Sequence, residues 1–283
     1  MTADQYSHWV NAQYGRNNLA ESILAALRTI GKDPGNVTLG DLAPLDHFHG
    51  GGYPATLELA RRANLQPGQR VLDVGGGLGG PARTLAAEFG CTVTVVDLTE
   101  EFCRAGEVLT TWTHLSHRVT FQPGSALTLP FPDHSFDVVW AQNSFMNIAD
   151  KAGLYASISR VLRAGGRLAF QEVMAGPLQP ILFPTHWADS PAISFLHTPA
   201  EARALLQRLG FVEVAWADTT AAALEAQRQR LATTSMPGTG VQPLPHLSFI
   251  LRPRDEAEHV AQTMARNLEE GRVAYIQGVF DKF

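Results

Sequence analysis

The stretch VLDVGGGLGG, Val71 to Gly80, decides how the rest of the chain is read. It is a short apolar strand running directly into a glycine-rich turn. Pro81 follows, where a proline is tolerated in the first turn of a helix. Glycines belong at such a turn because side chains there would keep a ligand away from the backbone and the helix N-terminus. Working outward, Leu85, Ala86 and Phe89 give the next helix a buried face, and Gly90 ends it. Residues 91–96 then form a second strand that Asp97 closes directly.

The alternation continues. Residues 118–122 and 136–141 read as strands, Asp150 caps a helix with Leu154, Ile158, Val161 and Leu162 inward, and a fifth strand starts at Arg167. Strands alternating with helices predict a parallel sheet covered on both faces, the α/β class. Thr99, with Glu100 and Glu101, is the expected N-cap of the helix after strand two. Upstream, Leu19, Ile23, Leu24 and Leu27 mark a helix stopped by Gly31. A loop follows from Leu42 to Pro54, then a short amphipathic helix. Downstream, residues 174–197 are proline-rich and irregular. Thr198 and Glu201 then form a capping box with Pro199 at the first helical position. Phe211 opens a sixth strand. A helix carrying Val260, Met264 and Leu268 precedes an alternating terminal strand after Gly271. The expected organisation is an N-terminal helical cap, residues 1–52, and one α/β domain, 53–283, with cap insertions at about 174–197 and 219–253.

Composition narrows the class. At 283 residues and 45% hydrophobic, the chain can bury a large core without disulfides or metal. A net charge of −5 with no basic block excludes nucleic acid as the default partner. Cys91 and Cys103 lack metal-ligand spacing, so reduced core thiols and no metal are expected. The opening MTADQYSHWVNAQYG shows no secretory pattern, and no apolar run approaches the roughly 20 residues of a membrane span. A cytoplasmic chain without a membrane partner is expected.

Two ligand classes compete for the glycine turn. A dinucleotide site spaces its glycines G-x-G-x-x-G and seats a pyrophosphate on the helix dipole. Here Asp73 stands two residues before the glycines and would repel that pyrophosphate. A ligand with an ammonium and a sulfonium suits the acid better, which favours S-adenosylmethionine over NAD. Asp97, at the end of strand two, is placed to accept bonds from both ribose hydroxyls.

With these residues in view, the chain resembles the class I S-adenosylmethionine-dependent methyltransferases, most strongly over residues 53 to 220. Asp73, Gly75, Gly77 and Gly79 match the D-x-G-x-G-x-G run, and Asp97, followed by Leu98, matches the ribose acid. Gly124–Ser125–Ala126 stands where the family usually has G-D-A, so Ser125 replaces an aspartate that meets the adenine amino group. The resemblance implies a Rossmann-like seven-stranded sheet, order 3-2-1-4-5-7-6, with the last strand antiparallel. FHGGGYPATLELA, WAQNSF and QGVF are similar to the sarcosine/dimethylglycine type of N-methyltransferase.

The acceptor side is expected at WAQNSFMNI. Gln142 and Asn143 end a parallel strand and are candidate cofactor contacts. Where related enzymes often carry a histidine, near Met146 and Asn147, this chain has none, so Asn147 is the candidate for orienting an acceptor. His49 and His186 are the other tentative catalytic candidates, one in the glycine loop and one in the proline-rich insertion. Glu172 could meet a cationic acceptor, and Tyr6, Trp9 and Tyr14 could cover the cofactor. The expected function is methylation of a small molecule, with N-methylation of an amine as the first reading, leaving S-adenosylhomocysteine. O- or C-methylation of a quinone, phenol or polyketide-like metabolite stays open. So does a protein that binds the cofactor without methyl transfer, and a homodimer is compatible with the chain.

Overall fold

The computed structural model describes residues 18–234 and 247–283. Tyr6, Trp9 and Tyr14 lie outside the described residues. The chain opens on α1 (Leu19–Arg28), whose Leu19, Ile23 and Leu27 are fully buried. Then comes α2 (Leu39–Asp46). The sequence reading leaves part of that segment as loop, and this is corrected. Thr38 Oγ1 accepts from Asp41 N while the Asp41 carboxylate takes Thr38 N, a reciprocal cap that starts a helix despite Pro44 inside it. Next is α3 (Gly52–Arg62).

The α/β unit follows in the expected order: β1 (Arg70–Val74), α4 (Gly80–Phe89), β2 (Thr92–Asp97), α5 (Glu100–Trp112), β3 (Val119–Pro123), β4 (Phe136–Gln142), α6 (Lys151–Val161) and β5 (Leu162–Ala175). It continues with α7 (Pro199–Arg208), β6 (Phe211–Asp218), α8 (Thr220–Thr234), α9 (Leu247–Leu251), α10 (Arg254–Glu269) and β7 (Val273–Lys282). The strand order is β3-β2-β1-β4-β5-β7-β6. Pairings are parallel except those of β7, which runs antiparallel to both β5 and β6.

Two caps stand as expected: Asp150 accepts from Gly153 N, and Thr198 with Glu201 forms the reciprocal box. Thr99 occupies the N-cap of α5 without a side-chain capping bond, and its backbone N–H donates to Asp97 Oδ1 (2.8 Å). β5 begins at Leu162, ahead of the expected Arg167. Leu162 pairs with Phe136, and the ladder shifts register before Arg167 meets Val138.

Period-2 alternation splits the sheet into two faces. Leu72, Val74, Val139, Leu168 and Phe170 pack with α6 and α7, while Val71, Val138, Trp140 and Ala169 pack with α3 and α4. Two further clusters sit off these faces. One joins α1, α2 and α9 to Leu78 and Phe102; the other joins α8 and α10 to Met146, Trp187 and Tyr275. Both border the carboxyl ends of the parallel strands, so the fold leaves its cavity there. Among the described residues no helix is long and apolar enough to cross a membrane.

Candidate active site

β1 delivers the glycine turn to the cavity. Gly75, Gly77 and Gly79 hold φ of +69°, +55° and +75°, where a side chain is strained. A Cβ on Gly75 would stand 2.4 Å from Ser144 Cβ, so the turn also packs directly on the loop after β4. The backbone donors of these glycines are engaged inside the protein. Gly75 N donates to Val96 O (2.7 Å), Gly79 N to Gly76 O (2.9 Å), and Gly77 N to Asp97 Oδ2 (2.9 Å). A pyrophosphate would meet engaged amides and carboxylates here, which is the wrong chemistry for it.

The polar atoms left over are acceptors. Asp73 is 1% exposed, and its Oδ2 has no partner. Burial, and then the neighbouring Asp97 charge, push its carboxyl up to about 8. Asp97 accepts from Gly77 N and from Thr99 N (2.8 Å); burial raises its pKa against those two bonds. Asn143, at φ +51°, donates from Nδ2 towards the Tyr275 hydroxyl (3.4 Å), while its buried Oδ1 lacks a donor. Asp73 and Asn143 both line the cavity. Two buried oxygens without donors call for a ligand that brings N–H groups and positive charge. The ammonium and sulfonium of S-adenosylmethionine fit that demand, and the second lone pairs of Asp97 fit its ribose.

One cavity of about 170 Å³ gathers nearly every residue singled out in the sequence. Asp73, Gly75, Gly77, Asp97, Leu98, Ser125 and Ala126 line its β1–β2–β3 half. Gln142, Asn143, Asn147, His49 and His186 line the remainder. Gly79 is absent from the wall; it is the left-handed N-cap residue of α4, packed on Phe121.

Several side chains are committed elsewhere than expected. Both amide bonds from Asn147 Nδ2 go to Trp187 O and Ile193 O (2.8 Å each), so this residue pins the insertion after β5, and its donors are not available to an acceptor. Gln142 Oε1 accepts from Thr56 Oγ1 (2.9 Å) and Trp140 Nε1 (3.1 Å), which leaves the side chain holding the wall. Ser125 Oγ accepts from Leu127 N (3.3 Å), capping a short helical turn. Its lone pairs are thus shared with the backbone before any adenine arrives.

His49 is 5% exposed and sits in a buried polar cluster. The Thr56 hydroxyl donates to Gln142 and also meets His49 Nε2 (3.1 Å); His49 Nδ1 lies near both Gly50 O (3.3 Å) and the Gln142 amide (3.4 Å). His186 packs edge-on against Phe48, 5.9 Å between ring centres.

Glu172 does not line this cavity among the described residues. Its carboxylate receives Ser144 N (2.9 Å) and Phe145 N (3.2 Å), and burial lifts its pKa to about 7. Missed altogether were Tyr275, Met264, Gln227 and the alanines of α8, which close the far side. A terminal strand and two late helices carry no motif, so only topology brings them here. The one visible sign was Gly50, where a Cβ would collide with the Tyr275 ring at 2.2 Å.

Strand order, antiparallel β7 and a cavity at the carboxyl ends define the class I methyltransferase fold. Residues 72–170 match the family model described as a methyltransferase domain. The chain is 34% identical over 166 residues to the glycine/sarcosine/dimethylglycine N-methyltransferase of Actinopolyspora halophila, covering 56% of this chain and 28% of that one. It is 33% identical over 162 residues to the sarcosine/dimethylglycine N-methyltransferase of Halorhodospira halochloris, covering 55% of this chain and 56% of the relative. The matched region therefore spans little more than half of the relatives' length, or less. Among solved structures, phosphoethanolamine N-methyltransferase 2 of Haemonchus contortus superposes with a TM-score of 0.72 at 19% identity, over 99% of this chain and 61% of that one.

Proposed function

We propose that this protein is an S-adenosylmethionine-dependent methyltransferase acting on a small molecule in the cytoplasm, with neither nucleic acid nor membrane as partner. Residues 1–52 and the insertions at about 174–197 and 219–253 form the cap in this reading. One observation carries it: Asp73 Oδ2 and Asn143 Oδ1 are buried, lack donors and border the same cavity as Asp97. When bound, S-adenosylmethionine supplies a methyl on a sulfonium for in-line displacement by the acceptor. The chain's part is to position and exclude water. Asp97 receives the ribose hydroxyls, Asp73 and Asn143 face the cationic end, and Trp187, Met264 and Leu268 close the site.

The first reading of the acceptor remains an amine nitrogen, which arrives neutral and asks little proton transfer of the protein. O- or C-methylation is the second reading. The two cavity histidines favour it, since His49 and His186 both line the cavity, where a base would have to stand. Calorimetry tests the core of the proposal. S-adenosylhomocysteine should bind in the micromolar range and NAD should not; the reverse result sinks it. A metabolite panel with methyl-labelled cofactor then separates the acceptor classes and the non-methylating alternative.

A further inference from the structure

The half of the cavity over β4, β5 and β7 has a wall whose charge can be read directly. Phe48, Met146, Trp187, Met264, Leu268 and Tyr275 supply most of its surface, with Ala223 and Ala226 between them. All but Phe48 of the six also belong to one buried cluster, continuous with the α8–α10 packing. Two of the polar members have prior engagements, and His49, His186, Asn143 and the Tyr275 hydroxyl make up most of the rest. Gln227 Nε2 donates to Ala261 O (3.0 Å), and Asn147 Nδ2 donates to two carbonyls. The carboxylates on the wall are Asp46, Asp73 and Asp97. Asp46 is bound to Arg83 and His47, and the other two stand at the ends of β1 and β2.

The cations decide the matter. The chain has 22 lysines and arginines. Among the described residues none lines the cavity. Only Arg16 and Arg230 have side chains outside the described ones. A carboxylate or phosphate on the acceptor would lose its hydration against Met, Trp and Phe with no lysine or arginine among the described residues to replace it. Rings and polyenes meet the opposite situation, because thioethers and aromatic faces reward apolar contact.

We infer that the methyl acceptor is an uncharged, predominantly apolar molecule with ring or polyene character, bearing no carboxylate or phosphate. This rests on the methyltransferase reading and narrows it. It also separates this chain from its named relatives, since sarcosine, dimethylglycine and phosphoethanolamine are each anionic at one end.

The test uses the full-length protein loaded with S-adenosylhomocysteine and a matched pair of fluorescent probes. These are 2-naphthol and 2-naphthoate, the same ring without and with a carboxylate. The naphthol should bind about a hundredfold tighter than the naphthoate. Neither sarcosine nor phosphoethanolamine should displace it. Ala226→Trp, which adds bulk to a half-buried wall position, should weaken naphthol at least about tenfold and leave S-adenosylhomocysteine affinity unchanged. Equal binding of naphthoate, displacement by either small anion, no uptake of naphthol, or indifference to Ala226→Trp overturns the inference. If S-adenosylhomocysteine itself does not bind, the methyltransferase reading fails instead, and the two failures are told apart in the loading step.

Discussion

Asp97 ends β2 and Asp73 lies one residue before the end of neighbouring β1; the parallel register sets Asp73 opposite Val95, two residues short of Asp97, near enough for the Asp97 charge to act on it. The sequence showed both, because an acid before a glycine turn and an acid closing the next strand are local patterns. It could not show that burial leaves Asp73 largely protonated at neutral pH. The sign follows from that. A raised carboxyl pKa means the folded, ligand-free protein holds a proton that the unfolded chain releases. Stability from this site therefore falls as pH rises from 3.8 towards about 8. A bound cation favours the ionised form, so ligand binding should expel the proton. Affinity for S-adenosylhomocysteine should rise between pH 6 and 7 by up to about tenfold, with proton release seen by calorimetry in buffers of different ionisation enthalpy. Asp73→Asn should flatten that dependence; an unchanged slope would move the linked proton elsewhere. Under the proposed reading, Asp97→Ala should cost about a hundredfold in affinity at pH 7, since its bonds to the ribose hydroxyls would be lost.

The loop from Ser144 to Asp150 illustrates what an element needs beyond its own sequence. Asp150 as a helix cap was legible, since its bond to Gly153 N is made within one turn. The clamp on the loop was not, because its parts come from different elements. Glu172 of β5 takes Ser144 N and Phe145 N, and Lys151 of α6 donates to Phe145 O (2.8 Å), Phe195 O (2.7 Å) and Ile148 O. Burial lowers Lys151 to about 8 against the pull of the Glu172 charge, so the two buried groups act on each other without forming an ion pair. Removing one member of such a pair leaves the other uncompensated. Lys151→Met should cost roughly 3 kcal/mol or more in denaturant unfolding, whereas Glu172→Gln keeps an oxygen for the loop amides and should cost about half as much. Equal losses would mean that the carboxylate charge, and not its geometry as an acceptor, holds the loop. The missed helix α2 teaches the same lesson in reverse: its Thr38–Asp41 box was present in the sequence, and Pro44 with the glycines behind it masked the signal.

At the scale of the molecule, the α/β sheet was readable from alternation, while its strand order came from the family resemblance and the far wall of the cavity from neither. What joins the N-terminal helices to the sheet is a buried charge network that no spacing announces. Asp46, the last residue of α2, bonds Arg83 of α4 (2.7 Å) and His47 Nδ1 (2.7 Å); Arg83, fully buried, also donates to Gly106 O and Thr110 Oγ1. Gly80 stands beneath it, since a Cβ there would lie 2.4 Å from Asp46 O. The helix that starts at the glycine turn is thus fixed to the cap by ions held out of water. Such a network is costly to break from one side and much less so from both. Arg83→Met should destabilise the protein by about 3–5 kcal/mol, because Asp46 loses its guanidinium and keeps its burial. Adding Asp46→Asn should recover part of that loss, giving a favourable coupling of at least about 1 kcal/mol in a double-mutant cycle followed by denaturant unfolding. The same double variant should bind S-adenosylhomocysteine more weakly than the native protein, since the cap no longer holds α4 and its glycine turn against the cavity. Additive losses in the cycle would show that Asp46 and Arg83 act independently, and that the cap is held by the apolar packing of α1 and α2 alone.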